Sequence, residues 1–273
     1  SMAPCASTGN VVEAGAGAGK TYTLIKALKF LVTKNDTDYI KANRKIACIT
    51  FTNVAKDEIR SRIDNHPIVL ADTIHAFAWE VIQNFQKGLR DRMVELGGRW
   101  QERIEEAGGI STQRVKYDLG YPKITDKEIF LHHNDVIKLF SSLLNDDKFK
   151  KLFVSKYPIV LIDEYQDTNK TLADALIANF VERESNIILG FFGDHWQRIY
   201  GTESCGLIET SEGKIEIIGK QANFRSDKNI DSVLNRMRPE LMQFEYDAES
   251  EGEIVVFHSN NWVGERRTGA HWN

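Results

Sequence analysis

The stretch Glu13 to Thr21, EAGAGAGKT, constrains this chain more than any other part of it, because an apolar pair, Val11-Val12, runs straight into glycines at 15, 17 and 19. Glycine lets a backbone take positive φ and approach a ligand without a Cβ in the way, so consecutive N–H groups can converge on an anion. Lys20 adds a point charge and Thr21 a hydroxyl suited to Mg²⁺. Leu24, Ile25, Leu28, Leu31 and Val32 then recur at helical spacing, so the loop opens a helix whose N-terminal dipole also favours anions. Strand, glycine loop and helix in this order point to phosphate binding, although Ala14 stands where the general pattern has its first glycine. The alternative is a flexible surface loop ahead of an ordinary helix.

Short β-rich runs alternate with helical patterns along the chain, which predicts a parallel sheet flanked by helices, an α/β core of RecA-like type. The expected strands are Val11–Glu13, Ile46–Phe51, Ile68–Leu70, Ile159–Ile162, Ile187–Phe192 and Ile215–Ile218. Between Lys87 and Lys156 the alternation breaks into a mostly polar, helical pattern punctuated by Gly97-Gly98 and Gly108-Gly109, read as an insertion. The expected division is therefore 1–86 and 157–235 for the core, 87–156 for a helical insertion subdomain, and 236–273 for the start of a further domain.

A second constellation is YPIVLIDEYQDTN, Tyr157 to Asn169. Its buried strand delivers Asp163 and Glu164 to a carboxyl end, where open α/β sheets place ligands. Asp163 would hold Mg²⁺ opposite Thr21, and Glu164 would orient and deprotonate an attacking water. The alternative is an acidic strand end leading to a helix capped by Asp167 or Thr168. In ILGFFGDHWQRIYG a further strand ends at Gly193-Asp194, and Gln197 follows as a γ-phosphate sensor.

Composition narrows the class. Among 273 residues, 42% are hydrophobic, and no apolar run is long enough to cross a bilayer. Cys5, Cys48 and Cys205 are odd in number and far apart, against a disulfide framework or zinc site, so a reducing, cytoplasmic setting is expected. A net charge of −4 gives no bulk attraction to nucleic acid, so such binding needs a local patch. Ser1 before Met2 reads as the scar of a cleaved tag.

EAGAGAGKT, CITFTNVAKDEIRSRI, TIHAFAWEVI, LIDEYQDTN, GDHWQRIYG and NFRS stand in the order of the motor motifs of UvrD/Rep-like superfamily 1 DNA helicases, which the chain resembles from Val11 to about Ser226. That family is built on a RecA-like P-loop NTPase domain, and an alanine at position 14 is frequent in it. The resemblance implies an ATP-dependent motor that moves 3′ to 5′ on single-stranded DNA with ATP and Mg²⁺. The nucleotide would be held by Ala14, Gly15, Ala16, Gly17, Ala18, Gly19, Lys20, Thr21 and Tyr22. Phe224 would stack on adenine, and catalysis would fall to Glu164, Gln197 and Arg225, with Thr21 and Asp163 on the metal.

On the DNA side the resemblance implies Phe51, Thr52, Asn53, His75 and Tyr200. Ordinary packing is an alternative for Phe224, and a helix-start or core role for His75. Thr202 stands where many relatives carry an aromatic, and MAPCASTGN lacks the family's adenine-reading glutamine. After NFRS come a helical pattern, Ile230, Val233, Leu234 and Met237, and a strand, Ile254 to Phe257, before Asn273. The family's second RecA-like domain is not reached, so a fragment is expected, with a second motor domain or partner subunit needed for full activity. A nucleotide-gated DNA-binding or regulatory module with little turnover remains the alternative.

Overall fold

Parallel strands buried on both faces need alternate side chains to enter two separate cores, and this chain supplies them. The computed structural model describes residues 9–118, 121–183, 185–199, 201, 203–208, 214–246 and 251–255. In chain order the elements begin with β1 (Gly9–Ala14), α1 (Lys20–Lys41), β2 (Ile46–Thr50), α2 (Asn53–Arg62), β3 (Val69–Thr73) and α3 (Ile74–Ile82). There follow α4 (Gln86–Arg92), α5 (Arg99–Glu106), β4 (Arg114–Tyr117), β5 (Lys123–Ile124), β6 (Glu128–Leu131), α6 (His133–Leu143) and α7 (Asp147–Lys156). The remainder is β7 (Ile159–Asp163), α8 (Lys170–Leu176), β8 (Ile188–Gly193), β9 (Ile215–Lys220), β10 (Ala222–Asn223), α9 (Lys228–Met237) and β11 (Phe244–Glu245).

The main sheet has six strands in the order β3-β2-β7-β8-β1-β9, and each neighbouring pair is parallel. All six expected strands are members of it. The third runs on to Thr73, because Ala71, Asp72 and Thr73 pair with Cys48, Ile49 and Thr50. Val11, Ile162 and Phe191 enter one core, while Val12, Leu161 and Phe192 enter the other, where Leu24, Ile25 and Leu28 of α1 cover them.

The segment 87–156 is mostly helical but not entirely so. Besides α4 to α7 it carries a small sheet in the order β4-β6-β5. Its apolar positions do not form a core of their own. Leu89, Trp100, Ile129 and Phe140 join Phe77, Val160 and Phe180 in one continuous cluster. The expected helix after NFRS is α9, but Val233 and Met237 are exposed on it. Of the strand expected at 254–257, Ile254 and Val255 are irregular and the rest lies outside the described residues.

Candidate nucleotide site and DNA track

β1 is an interior strand, so its carboxyl end opens onto the sheet's upper edge between the ends of β8 and β9. There the chain turns through Gly17 at φ 82° and Gly19 at φ 72°, a region that side-chain-bearing residues enter at a cost. Gly17 is required for a second reason: a Cβ there would lie 2.3 Å from Asn223 Oδ1. The NFRS segment grips the loop from outside, with the Phe224 N–H donating to Gly17 O at 3.0 Å and Asn223 Nδ2 to Ala16 O at 3.0 Å.

A cavity of about 350 Å³ lies against this loop. The structure brings Gly15, Ala16, Gly17, Gly19, Lys20, Thr21 and Tyr22 to its wall, and across from them Glu164, Gln197 and Arg225. Two residues of the loop do not reach it, nor do Asp163 and Phe224 line it: Ala14 and Ala18 have no exposed surface and pack inward, and the Ala18 N–H is spent on Gly15 O at 3.2 Å. Their methyl groups hold the loop to the core. Lys20 Nζ donates to Gln197 Oε1 at 3.0 Å and lies 3.9 Å from Glu164 Oε2. Phe224 is 53% exposed, and its ring edge sits over Gly19 with Tyr246 against it at 4.7 Å, so one aromatic face stands at the loop's rim.

Asp163 and Glu164 part company at the end of β7. Glu164 sits in the left-handed region, φ 48° and ψ 50°, which turns its carboxylate to the cavity while Asp163 stays buried. Such a conformation costs a non-glycine residue about 1–2 kcal/mol. Burial, then the Glu164 charge, push the Asp163 carboxyl up to about 7, and its buried Oδ1 has no hydrogen-bond partner. An orphaned buried carboxylate oxygen beside a phosphate-type loop fits a divalent cation, which would keep that group ionised. The helix after this acidic turn, α8, is capped by Asn169 rather than by Asp167 or Thr168, because Asn169 Oδ1 accepts from Leu172 N at 3.4 Å.

Sequence reasoning passed over the residues that hold the site. Gln166 donates to Glu164 Oε2 at 2.8 Å and accepts from the Asp194 N–H at 3.0 Å, which ties the ends of β7 and β8 together. Glu58 and Arg62 of α2 also line the cavity. Arg238 and Glu13 form part of a buried charge network beneath Gln197. Asn223 and Gln166 lay inside quoted motifs, so their polarity beside apolar strands was an available signal. Arg238 had none.

The DNA-side residues fall on the neighbouring strand ends. Phe51 to Asn53 follow β2 and His75 follows β3, one and two strands from the acids of β7. Phe51 is 36% exposed. Thr52 is the cap of α2, its hydroxyl accepting from Ala55 N at 3.1 Å, and Asn53 Oδ1 accepts from Lys56 Nζ at 3.0 Å. His75 stacks on His133 with ring centroids 3.3 Å apart, so one face of the imidazole is covered by α6. Tyr200 and Thr202 lie outside the described residues.

A family profile described as an AAA domain matches residues 3–203. The chain belongs to this AAA domain family. Within it, the resemblance to UvrD/Rep-like superfamily 1 helicases extends to curated relatives. The chain is 26% identical to the Gabija protein GajB of Bacillus cereus (strain HuB5-5), over 92% of its own length and 50% of that protein. It is 25% identical to the ATP-dependent DNA helicase Rep of Buchnera aphidicola subsp. Schizaphis graminum, over 83% of the chain and 41% of that helicase. Against the ATP-dependent DNA helicase PcrA of Staphylococcus epidermidis the figures are 23%, 83% and 37%. This AAA-domain chain thus spans about half the length, or less, of the curated relatives it matches. No helix among its described residues is long and apolar enough to cross a membrane.

Proposed function

We propose that this chain is the ATP-binding motor domain of a UvrD-type DNA translocase or helicase, which hydrolyses ATP with Mg²⁺ to move on single-stranded DNA in the cytoplasm. The observation that carries the reading is the convergence of Lys20, Glu164, Gln197 and Arg225 on one cavity at the carboxyl edge of the sheet. Lys20 and the loop N–H groups bind the β and γ phosphates. Asp163 and Thr21 hold Mg²⁺, which when bound neutralises phosphate charge. Glu164 accepts a proton from the water that attacks the γ-phosphorus, and the bond to the β-phosphate oxygen breaks to leave ADP. Gln197 and Arg225 contact the transferring phosphoryl group, where a planar guanidinium matches two oxygens at once. Phe224 stacks on the base.

Single-stranded DNA lies along the ends of β2 and β3, with Phe51 stacking on a base and Thr52, Asn53, His75 and Tyr200 near the strand. β7 and β8 separate this track from the phosphate loop in the strand order, so the turns that carry Glu164 and Gln197 lie between them. A second motor lobe or partner subunit completes the nucleotide site and is needed for full activity. The test is ATP hydrolysis with and without single-stranded DNA, on this chain and on the longest natural protein that contains it. Hydrolysis stimulated by DNA and lost in Lys20→Ala supports the reading; nucleotide binding with no turnover in either protein favours the regulatory-module alternative.

A further inference from the structure

Arg238 caps α9 outside every motif, yet only 9% of it is exposed and its guanidinium reaches under the nucleotide site. Nη1 donates to Asp194 Oδ1, Nη2 lies 3.6 Å from Glu13 Oε2, and Nε donates to Glu240 at 2.9 Å. Glu13 and Asp194 stand at the ends of the paired strands β1 and β8, so one fork spans two neighbouring acids that would otherwise repel. With Oδ1 taken, Asp194 turns Oδ2 to Gln197 Nε2 at 2.7 Å. That bond sets the amide: its carbonyl oxygen meets Lys20 at 3.0 Å, and its second N–H remains for the cavity side.

We propose that Arg238 is a positioning residue for the γ-phosphate, acting through Asp194 to hold Gln197 at the cavity and thereby linking that contact to α9. The inference rests on the nucleotide-site reading above. A lysine keeps the charge but offers a point donor where the fork bridges two carboxylates, so Arg238→Lys should loosen Asp194 without stripping the buried acids of a counter-charge. Arg238→Ala would strip both buried acids of the guanidinium, leaving Glu13 to Tyr165 and His195 and Asp194 to Trp196 and Gln197, and is the poorer variant.

The experiment is calorimetric titration of Mg–ADP and of a Mg-bound non-hydrolysable ATP analogue into the unsubstituted chain, Arg238→Lys, Asp194→Asn and Gln197→Ala. The expected result is unchanged ADP affinity with about a tenfold loss for the ATP analogue in each variant, the size of one charge-assisted hydrogen bond. The Arg238→Lys/Gln197→Ala double variant should be no weaker than Gln197→Ala alone. Equal losses for both nucleotides, an unchanged ratio, or additive losses in the double variant would overturn the inference. Should Arg238→Lys fail to fold, Asp194→Asn alone decides by the same ratio. An unsubstituted chain that binds neither nucleotide overturns the nucleotide-site reading itself and takes this inference with it.

Discussion

The Lys20 ammonium donates to the Gln197 side-chain oxygen at 3.0 Å, which joins residues 177 apart in sequence, one at the start of α1 and one in the turn after β8. A phosphate oxygen that takes the carbonyl's place gives Lys20 a full negative charge in exchange for a dipole. On the proposed reading, nucleotide binding would release the Gln197 oxygen, whose amide is tied to Asp194 at 2.7 Å.

Glu164→Gln is expected to bind a non-hydrolysable ATP analogue as the unsubstituted chain does. Asp163, Thr21 and Lys20 remain, and glutamine keeps an oxygen to accept the Gln166 amide, which now lies 2.8 Å from Glu164. Turnover in the longest natural protein containing this sequence should fall by about 10²–10⁴-fold, the usual worth of a positioned general base. Phosphate release at an undiminished rate would assign the water to another group.

Gly17→Ala should damage the site and the fold together. The new Cβ meets Asn223 Oδ1 at 2.3 Å in a backbone conformation, φ 82°, that alanine resists. Asn223 also donates to Asp231 at 2.9 Å, so the NFRS segment cannot retreat freely. A cost of about 1–3 kcal/mol is expected in denaturant unfolding, with nucleotide affinity lost in parallel. A variant with unchanged midpoint and affinity would show that the loop is not clamped as described.

Much of this was legible in the sequence because the signals are local. Val11-Val12 running into glycines and then Leu24, Ile25 and Leu28 at helical spacing fixes strand, loop and helix from neighbouring residues alone. The six strands were visible for the same reason. What stayed hidden depends on distance across the fold. Trp100 and Phe140 lie in a polar-looking stretch, yet both are buried because they pack on the main core rather than on each other's helices. Ala14 and Ala18 sit in the glycine loop and face inward, which a motif read as a string cannot show. Arg238 carries no local pattern, and its partners, Glu13 and Asp194, come from the ends of strands over 40 residues away.

Phe51→Ala should weaken binding of a short single-stranded oligonucleotide by about 1–3 kcal/mol in fluorescence anisotropy, the typical worth of one base stacked on an aromatic ring. Nucleotide affinity should stay the same, because the β2 end does not line the phosphate cavity. Unaltered DNA affinity would remove Phe51 from the track.

The histidine cluster sets an acid limit on stability. Burial, then the neighbouring His133 and His132, push the His75 imidazole down to about 4, and burial also lowers His133. A group whose folded value lies below its ordinary 6.5 stabilises the fold above that pH, and the contribution is lost as pH falls from about 6.5 towards 4. This loss opposes the contribution of Asp163, whose raised value adds stability as pH falls from about 7, so His75→Gln should raise the melting temperature near pH 4–5 relative to that at pH 7, compared with the unsubstituted chain. A slope unaffected by His75→Gln would place the acid sensitivity elsewhere.

The central claim, that this cavity binds the phosphates of ATP, is tested most directly by titrating Mg–ATP analogue into the purified chain and its Lys20→Ala variant in a calorimeter. Lys20 is the cation at the loop, 10% exposed in its side chain, and each charge-assisted hydrogen bond it gives a phosphate is worth about 1.5–3 kcal/mol. One binding site is expected in the unsubstituted chain and no measurable binding in Lys20→Ala, with both proteins melting cooperatively. Equal affinity in the two proteins would rule out phosphate binding at this loop.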